Sequence, residues 1–222
     1  MADRGAKDAL FDGLVSAARA LASGRRAEIV DVLSQGERPV EEIATEIGQS
    51  VANTSQHLQQ LLRVGLVRTR RDGNRIYYDL ADDGVAELWS MLRSVAARHV
   101  ADIEHLATHY LGDRRQLRII TRTELNRRLR SRDVVVLDVR PTPEYRAGHI
   151  KGAVSAPIDE LRDMLPDIPP DVDVIAYCRG PYCVYADRAV RELTKNGRRA
   201  ARLEDGYPEW ARAGLPVTSR MS

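Results

Sequence analysis

"PVEEIATEIGQSVANTSQHLQQLLRVGLVRTRRDGNRIYYDL" spans residues 39–80 and changes its period midway. In its first part Val40, Ile43, Ala44 and Ile47 share one helical face, and Gly48 closes the segment. After a three-residue turn Ser50 is placed to cap a second helix whose Leu58, Leu61 and Leu62 face inward. Two short helices across a tight, glycine-containing turn form a helix-turn-helix pattern. The period then shortens. Two β-prone arms flank Asp72-Gly73-Asn74, a strong hairpin signal, and the hairpin reads as a wing.

Charge gives this stretch a partner. From Ser50 to Leu80, Arg63, Arg68, Arg70, Arg71 and Arg75 stand against Asp72 and Asp79, so five minus two leaves +3, whereas the whole chain carries only +2. Ser50, Asn53, Thr54, Ser55, Gln56 and His57 crowd the start of the second helix. There a major-groove reader presents side chains to base edges, while arginines on the hairpin meet phosphates. A solvated polar helix beside a charged hairpin is the plain alternative. Pattern, turn and charge coincide, which favours double-stranded operator DNA.

Outward from this stretch, Leu10, Leu14, Ala17 and Leu21 line one face of a helix that Ser23-Gly24 ends, and a second helix runs from Ala27 to Leu33. On the other side Leu88, Leu92, Val95, His99, Ile103, Leu106 and Tyr110 alternate by four and three, predicting one helix from near Asp82 and a seam long enough to pair two protomers. Residues 39–80, with their flanks over roughly the first 100 residues, resemble the winged helix-turn-helix of the ArsR/SmtB family of bacterial repressors. The resemblance implies a homodimer, joined through the first and last helices of this half, that occupies an operator and leaves it when an effector binds. Many members of that family sense metals, and this sequence departs from them. "RPVEEIA" holds no thiol, and the metal-site positions of the final helix are Asp82, Gly84, Val95 and Arg98, of which only Asp82 could ligate. Asp102, His105 and His109 offer an oxygen and nitrogen set further along, but a solvated linker helix explains them more simply. No metal and no cofactor is expected.

The length of 222 residues suits two domains, and an apolar fraction of 43% lets each build a core. No run approaches the roughly 20 apolar residues of a membrane span. The first residues carry Asp3, Asp8 and Asp12 rather than a basic head, so a cytoplasmic protein without a membrane partner is expected. Two cysteines make no disulfide framework. In a reducing compartment a close pair points to metal, redox or nucleophile chemistry.

Apolar periodicity stops around Leu111-Gly112-Asp113. The expected organisation is a DNA-binding and dimerisation domain over residues 1–100, mainly helical with a β-hairpin wing, a helical linker over 101–114, and an α/β domain over 115–222. In the last of these, strands are predicted at "RRQLRII", "VVVLDV" (134–139), "DVIAYC" (173–178) and "RAARL" (199–203). Helices are predicted from the "TRTE" capping box, over "PTPEYRAG", from about Cys183 to Asn196 and in "YPEWARAG". Near-continuous apolar strands separated by helices imply a parallel sheet covered on both faces. Cys178 then ends a central strand, where open α/β sheets hold their ligands. The loop Cys178-Arg179-Gly180-Pro181-Tyr182-Cys183 runs into a helix start, so a cup of main-chain N–H groups, the helix dipole and Arg179 are expected to keep the Cys178 sulfur anionic. Two buried structural cysteines are the plain alternative.

The second half is similar to the rhodanese domains over about residues 115–222, through "LDVRPTPEYRAGHIKGAVSAP", "YCRGPYC" and "GYPEWARAGLPV". That resemblance implies a sulfurtransferase nucleophile at Cys178, which takes up sulfane sulfur as a persulfide, with loop amides holding its charge. It also implies Asp138 and Arg140 as groups at the edge of the site, and Glu144 and His149 as mainly structural. Phosphatase relatives use a longer C-x5-R loop, and Val184 stands where their arginine would be. Cys183 ends the loop where many sulfurtransferases have a basic or hydroxyl residue, which predicts weak thiosulfate and cyanide turnover. Instead, Cys183 can resolve a persulfide on Cys178. The expected function is a transcriptional repressor that perceives a small sulfur donor, whether polysulfide, persulfide or thiosulfate. A sulfurtransferase localised by DNA binding and a thiol-based arsenite sensor are the alternatives.

Overall fold

The computed structural model describes residues 3–131 and 133–219. The outer ends of the two expected domains, residues 1–2 and 220–222, lie outside them. Two units, Met1–Val100 and Ala101–Ser222, each enclose their own apolar core.

The first unit runs α1 (Arg4–Leu14), α2 (Ser16–Leu21), α3 (Gly24–Leu33), β1 (Arg38–Pro39), α4 (Val40–Glu46), α5 (Val51–Arg63), β2 (Val67–Asp72), β3 (Arg75–Leu80) and α6 (Asp83–His99). The predicted helix-turn-helix is α4 and α5, and the wing is β2 and β3. The wing pairs antiparallel from Val67↔Leu80 to Asp72↔Arg75, and β1 adds a short third strand on β3. Gly73 turns the wing at φ 58°, a conformation that costs glycine nothing. Ile29, Val30, Ile43, Leu58 and Leu61 are fully buried and join α3, α4 and α5 into one core. Two expected helices are interrupted. The first divides at Val15 into α1 and α2. The long seam helix ends at His99, because Val100 turns extended (φ −93°, ψ 111°), and α7 (Ile103–Leu111) starts afresh. Only residues 100–102 fall out of the helix, so the spacing of apolar residues carries no trace of the break.

The second unit begins with α7 and continues through β4 (Ile119–Ile120), α8 (Arg122–Ser131), β5 (Val134–Asp138), α9 (Thr142–Ala147), β6 (Gly148–Ile150), β7 (Val154–Ser155), α10 (Leu161–Met164), β8 (Asp173–Cys178), α11 (Tyr185–Lys195), β9 (Ala200–Gly206), α12 (Tyr207–Arg212) and β10 (Val217–Ser219). Among the described residues the main sheet has the order β4-β9-β8-β5-β7 with every pairing parallel, as the strand and helix alternation predicts. Thr121 caps α8 through the Glu124 N–H at 3.2 Å, half of the expected capping box. Strand β8 is central and sorts its side chains by parity. Val174, Ala176 and Cys178 pack with Ala186, Val190 and Leu193 of α11, while Ile175 and Tyr177 pack with Leu125, Ile150 and Trp210 on the opposite face. The sheet's middle therefore delivers Cys178 at its carboxyl end, beneath the start of α11.

Candidate functional site

Cys178 and Cys183 are joined by a disulfide, with Cα atoms 6.3 Å apart. Cys178 is only 1% exposed and belongs to the apolar cluster under α11. The expected anionic thiolate in an open cup is thus corrected for this state: a disulfide sulfur has no proton to lose, and burial among aliphatic groups shuts it from water. Helix α11 starts at Tyr185, two residues later than expected, with Val184 at its N-cap.

The loop is fixed from several sides. Inside it, the Cys183 N–H donates to the Gly180 carbonyl at 3.2 Å. From below, Gly206 pairs with Cys178 across β8 and β9. A Cβ on Gly206 would fall 2.3 Å from both the Arg179 carbonyl carbon and the Gly180 nitrogen, so only glycine lets the strand pass under the loop. From the connection after α7, Arg114 donates to the carbonyls of Pro181 (2.8 Å) and Cys183 (3.3 Å) and pairs with Asp187 of α11. Asp187 also faces Arg202 of β9 at 3.0 Å, and both side chains are almost wholly buried. Burial, partly opposed by Asp187 and reinforced by Arg114, pulls the Arg202 guanidinium below its ordinary value.

Arg179 does not serve as the cation expected beside the sulfur. Its guanidinium donates to Glu144 at 2.6 and 3.0 Å, and Glu144 is itself 2% exposed, so the charge is neutralised locally. Tyr182 is half-buried. Asp138 and Arg140 lie in the interior rather than at the edge of a site, each 0% exposed. Arg140 binds both Asp138 oxygens and the Gly148 carbonyl, while the Tyr177 hydroxyl donates to Asp138 at 2.6 Å. Burial, then the Asp138 carboxylate, pushes the Tyr177 hydroxyl well above its ordinary value, so it stays a donor. This network ties the end of β5 to β8 and β6. His149 stacks on Tyr145 with ring centroids 3.8 Å apart and bonds its main-chain carbonyl.

On the first unit, α5 presents Asn53 and Gln56 to solvent with Ser55 and His57 half-exposed. Ser50 is the N-cap and accepts the Asn53 N–H at 3.2 Å. Thr54 faces inward, 0% exposed, its hydroxyl donating to the Ser50 carbonyl, because it sits one turn before Leu58 on the core side of the helix. Thr54 is therefore removed from the expected base-reading set. The wing arginines divide into two kinds. Arg68 pairs with Asp79 at 2.7 Å, and Arg70 grips both Glu37 oxygens at 2.8 and 2.9 Å while lying over the Tyr77 ring. Arg71 and Arg75 flank the hairpin tip, exposed, and Arg63 is exposed at the end of α5.

Exposed apolar side chains concentrate on two helices of the first unit. Leu10, Phe11 and Leu14 of α1 and Leu88, Met91, Leu92 and Val95 of α6 are all 41% exposed or more. His105 and His109 are exposed on α7, and among the described residues no three His, Cys, Asp or Glu side chains gather as a metal site. No helix among the described residues is long and apolar enough to cross a membrane.

Arg114, Asp187, Arg202 and Gly206 were not singled out by residue chemistry. Gly206 lay within the "GYPEWARAGLPV" tail, but the other three come from separate elements and converge only through the fold.

Comparison with known proteins agrees with both halves. Residues 121–213 match the model of the rhodanese-like domain, and residues 23–69 match that of the bacterial regulatory proteins of the arsR family. The chain is similar to the HTH-type transcriptional regulator Rv0324 of Mycobacterium tuberculosis, 48% identical over 211 residues, covering 95% of this chain and 92% of that protein. It is also similar to the tRNA uridine(34) hydroxylase of Escherichia coli, 30% identical over 160 residues, covering 66% of this chain and 43% of the hydroxylase. Among solved structures it resembles the homodimeric winged helix-turn-helix DNA-binding domain of Mb0332 from Mycobacterium bovis, with 45% identity, 45% of this chain and 91% of that one covered, and a TM-score of 0.42.

Proposed function

We propose that this chain, which belongs to the HTH-type transcriptional regulators built from an ArsR-family winged helix and a rhodanese-like domain, is a repressor governed by sulfane sulfur. Reduced Cys178 attacks the terminal sulfur of a persulfide or polysulfide, R–S–SH, forming Cys178–S–SH and expelling the thiolate RS⁻. The Cys183 thiolate then attacks the Cys178 sulfur, which forms the Cys178–Cys183 disulfide and expels hydrosulfide. Two electrons pass from the thiol pair to the donor's outer sulfur, which leaves as sulfide. The observation that carries this reading is the pairing of the chain's two cysteines across one loop at the carboxyl end of the central strand.

For the DNA-facing half, the reading rests on the solvent face of α5 and the free tip of the wing. Asn53, Ser55, Gln56 and His57 read base edges, while Arg63, Arg71 and Arg75 meet phosphates. The apolar faces of α1 and α6 pair two copies, which supplies the two reading helices that a palindromic operator needs. With Arg179 neutralised by Glu144, the loop's own arginine gives a thiosulfate dianion little help, so the thiol pair responds stoichiometrically rather than turning over thiosulfate and cyanide.

A band-shift titration tests the proposal. Polysulfide releases the wild-type protein from its operator, and Cys178→Ser protein stays bound. Equal release from the serine variant, or sustained thiosulfate:cyanide turnover by the wild type, would overturn it.

A further inference from the structure

Arg114 lies in the connection that follows α7, with no sequence signal to mark it, yet it donates to two main-chain carbonyls of the loop described above. It holds the carbonyls of Pro181 and Cys183 at 2.8 and 3.3 Å, and its remaining nitrogen meets the Asp187 carboxylate. Every peptide bond among the described residues is trans. In a trans peptide the C=O and the next N–H point in opposite directions. A guanidinium that draws the Pro181 and Cys183 carbonyls toward itself therefore turns the Tyr182 and Val184 N–H groups to the far side of the loop. Pro181 has no N–H, and the Cys183 N–H is spent on Gly180. Those two peptides are thus a large part of what the loop can offer an anion.

The guanidinium is itself held in place. Asp187 fixes it from α11, and Arg202 fixes Asp187 from β9 at 3.0 Å, so two cations share one buried carboxylate beneath the thiols. Arg202 Nη2 and Asp187 Oδ1 are both buried without a hydrogen-bond partner, so the 3.0 Å approach of Arg202 to Asp187 is a contact of charges rather than a hydrogen bond. Meanwhile Arg179 is neutralised by Glu144.

We propose that Arg114 is the positioning residue of the thiol loop: it aims the Tyr182 and Val184 N–H groups at the side where the Cys178 thiolate and its persulfide carry their charge. This rests on the sulfur-acceptor reading of Cys178 and assigns to Arg114, with Asp187 and Arg202 behind it, the work that Arg179 does not do. The fork of the guanidinium is essential. A lysine supplies the charge Asp187 needs but cannot span two carbonyls and a carboxylate at once.

The test uses reduced full-length protein in a Cys183→Ser background, so that a persulfide on Cys178 persists. Arg114→Lys is compared with Arg114 for two rates: alkylation of Cys178 by iodoacetamide across pH, and gain of one sulfur atom from sodium tetrasulfide by intact mass. The expected result is that both rates fall about 10-fold or more near neutral pH. The alkylation profile moves to higher pH while the melting temperature stays near that of the parent. Equal rates and an unshifted profile in Arg114→Lys would overturn the proposal. Should that variant melt early, Arg114→Gln refolded in guanidinium-free buffer and read by the alkylation profile decides in its place, an unshifted profile again being the overturning result. If the parent itself gains no sulfur from tetrasulfide, the sulfur reading fails, while the alkylation arm still judges Arg114.

Discussion

On the wing, Arg68 and Arg70 meet Asp79 and Glu37 in open water; beneath the thiol loop, the buried Asp187 lies between a buried Arg202 and a half-buried Arg114. The residue types are the same and the distances similar, but the consequences differ. Exposed pairs are screened and gain little, so the wing pairs contribute only weakly to the stability of the first unit. A buried carboxylate between two guanidiniums cannot be removed cheaply, because each partner would be left as an uncompensated charge. On the proposed reading, exposed arginines of the first unit serve binding, whereas in the second unit arginine is part of the framework. Counting charge along the sequence describes the first use well and misleads about the second.

The sharpest challenge to this contrast is Asp187→Asn. It should destabilise the second unit by about 3–5 kcal/mol, read as the loss of its transition in urea unfolding of the full chain, while operator binding by the first unit persists. A cost no larger than that of an exposed pair would break the comparison. Next, Gly206→Ala should cost about 1–3 kcal/mol and displace the loop, since the new methyl would overlap the Arg179–Gly180 peptide. Disulfide formation between Cys178 and Cys183, followed by mass after oxidation, should slow in that variant.

On the wing, Arg71→Ala and Arg75→Ala should each weaken operator binding and reduce the slope of log affinity against log salt by about 1. Arg68→Ala and Arg70→Ala should reduce it less, because each arginine is already occupied by a carboxylate. Equal slopes for all four would erase the division between arginines paired with a carboxylate and those that are not. The smallest effect concerns Asp173, which Arg199 and Arg128 hold down to about 2 from an ordinary 3.8. A depressed carboxylate stabilises the fold above its ordinary value and loses that contribution as pH falls through the folded one. Melting of the second unit should therefore fall between pH 3.8 and about 2, and Asp173→Asn should flatten that fall.

The elements were largely legible because each depends on local pattern. Strand β8 was read at its true limits from a run of apolar residues, and α5 from its cap and leucine spacing. Facing was harder. Thr54 sits among polar neighbours yet lies on the core side of α5, and polarity alone hid this until the helix was phased by Leu58 and Leu61. In the site, Cys178 and Cys183 were legible as neighbours in sequence. The Arg114–Asp187–Arg202 group was not, because the connection after α7, helix α11 and strand β9 meet only after the sheet is assembled. Arg179 illustrates the reverse error: closeness in sequence suggested a cation beside the sulfur, and Glu144, 35 positions earlier, claims it instead.

Val100 stands extended and exposed at the joint where one core ends and the other begins. Because the apolar clusters of each half are built from that half's own residues, a genetic crossover at that joint would carry each core whole to a new neighbour. A reader of operators could acquire a different detector, and a detector a different reader, without rewriting the interior of either. Limited proteolysis at residues 100–102 would imitate the same separation in the test tube.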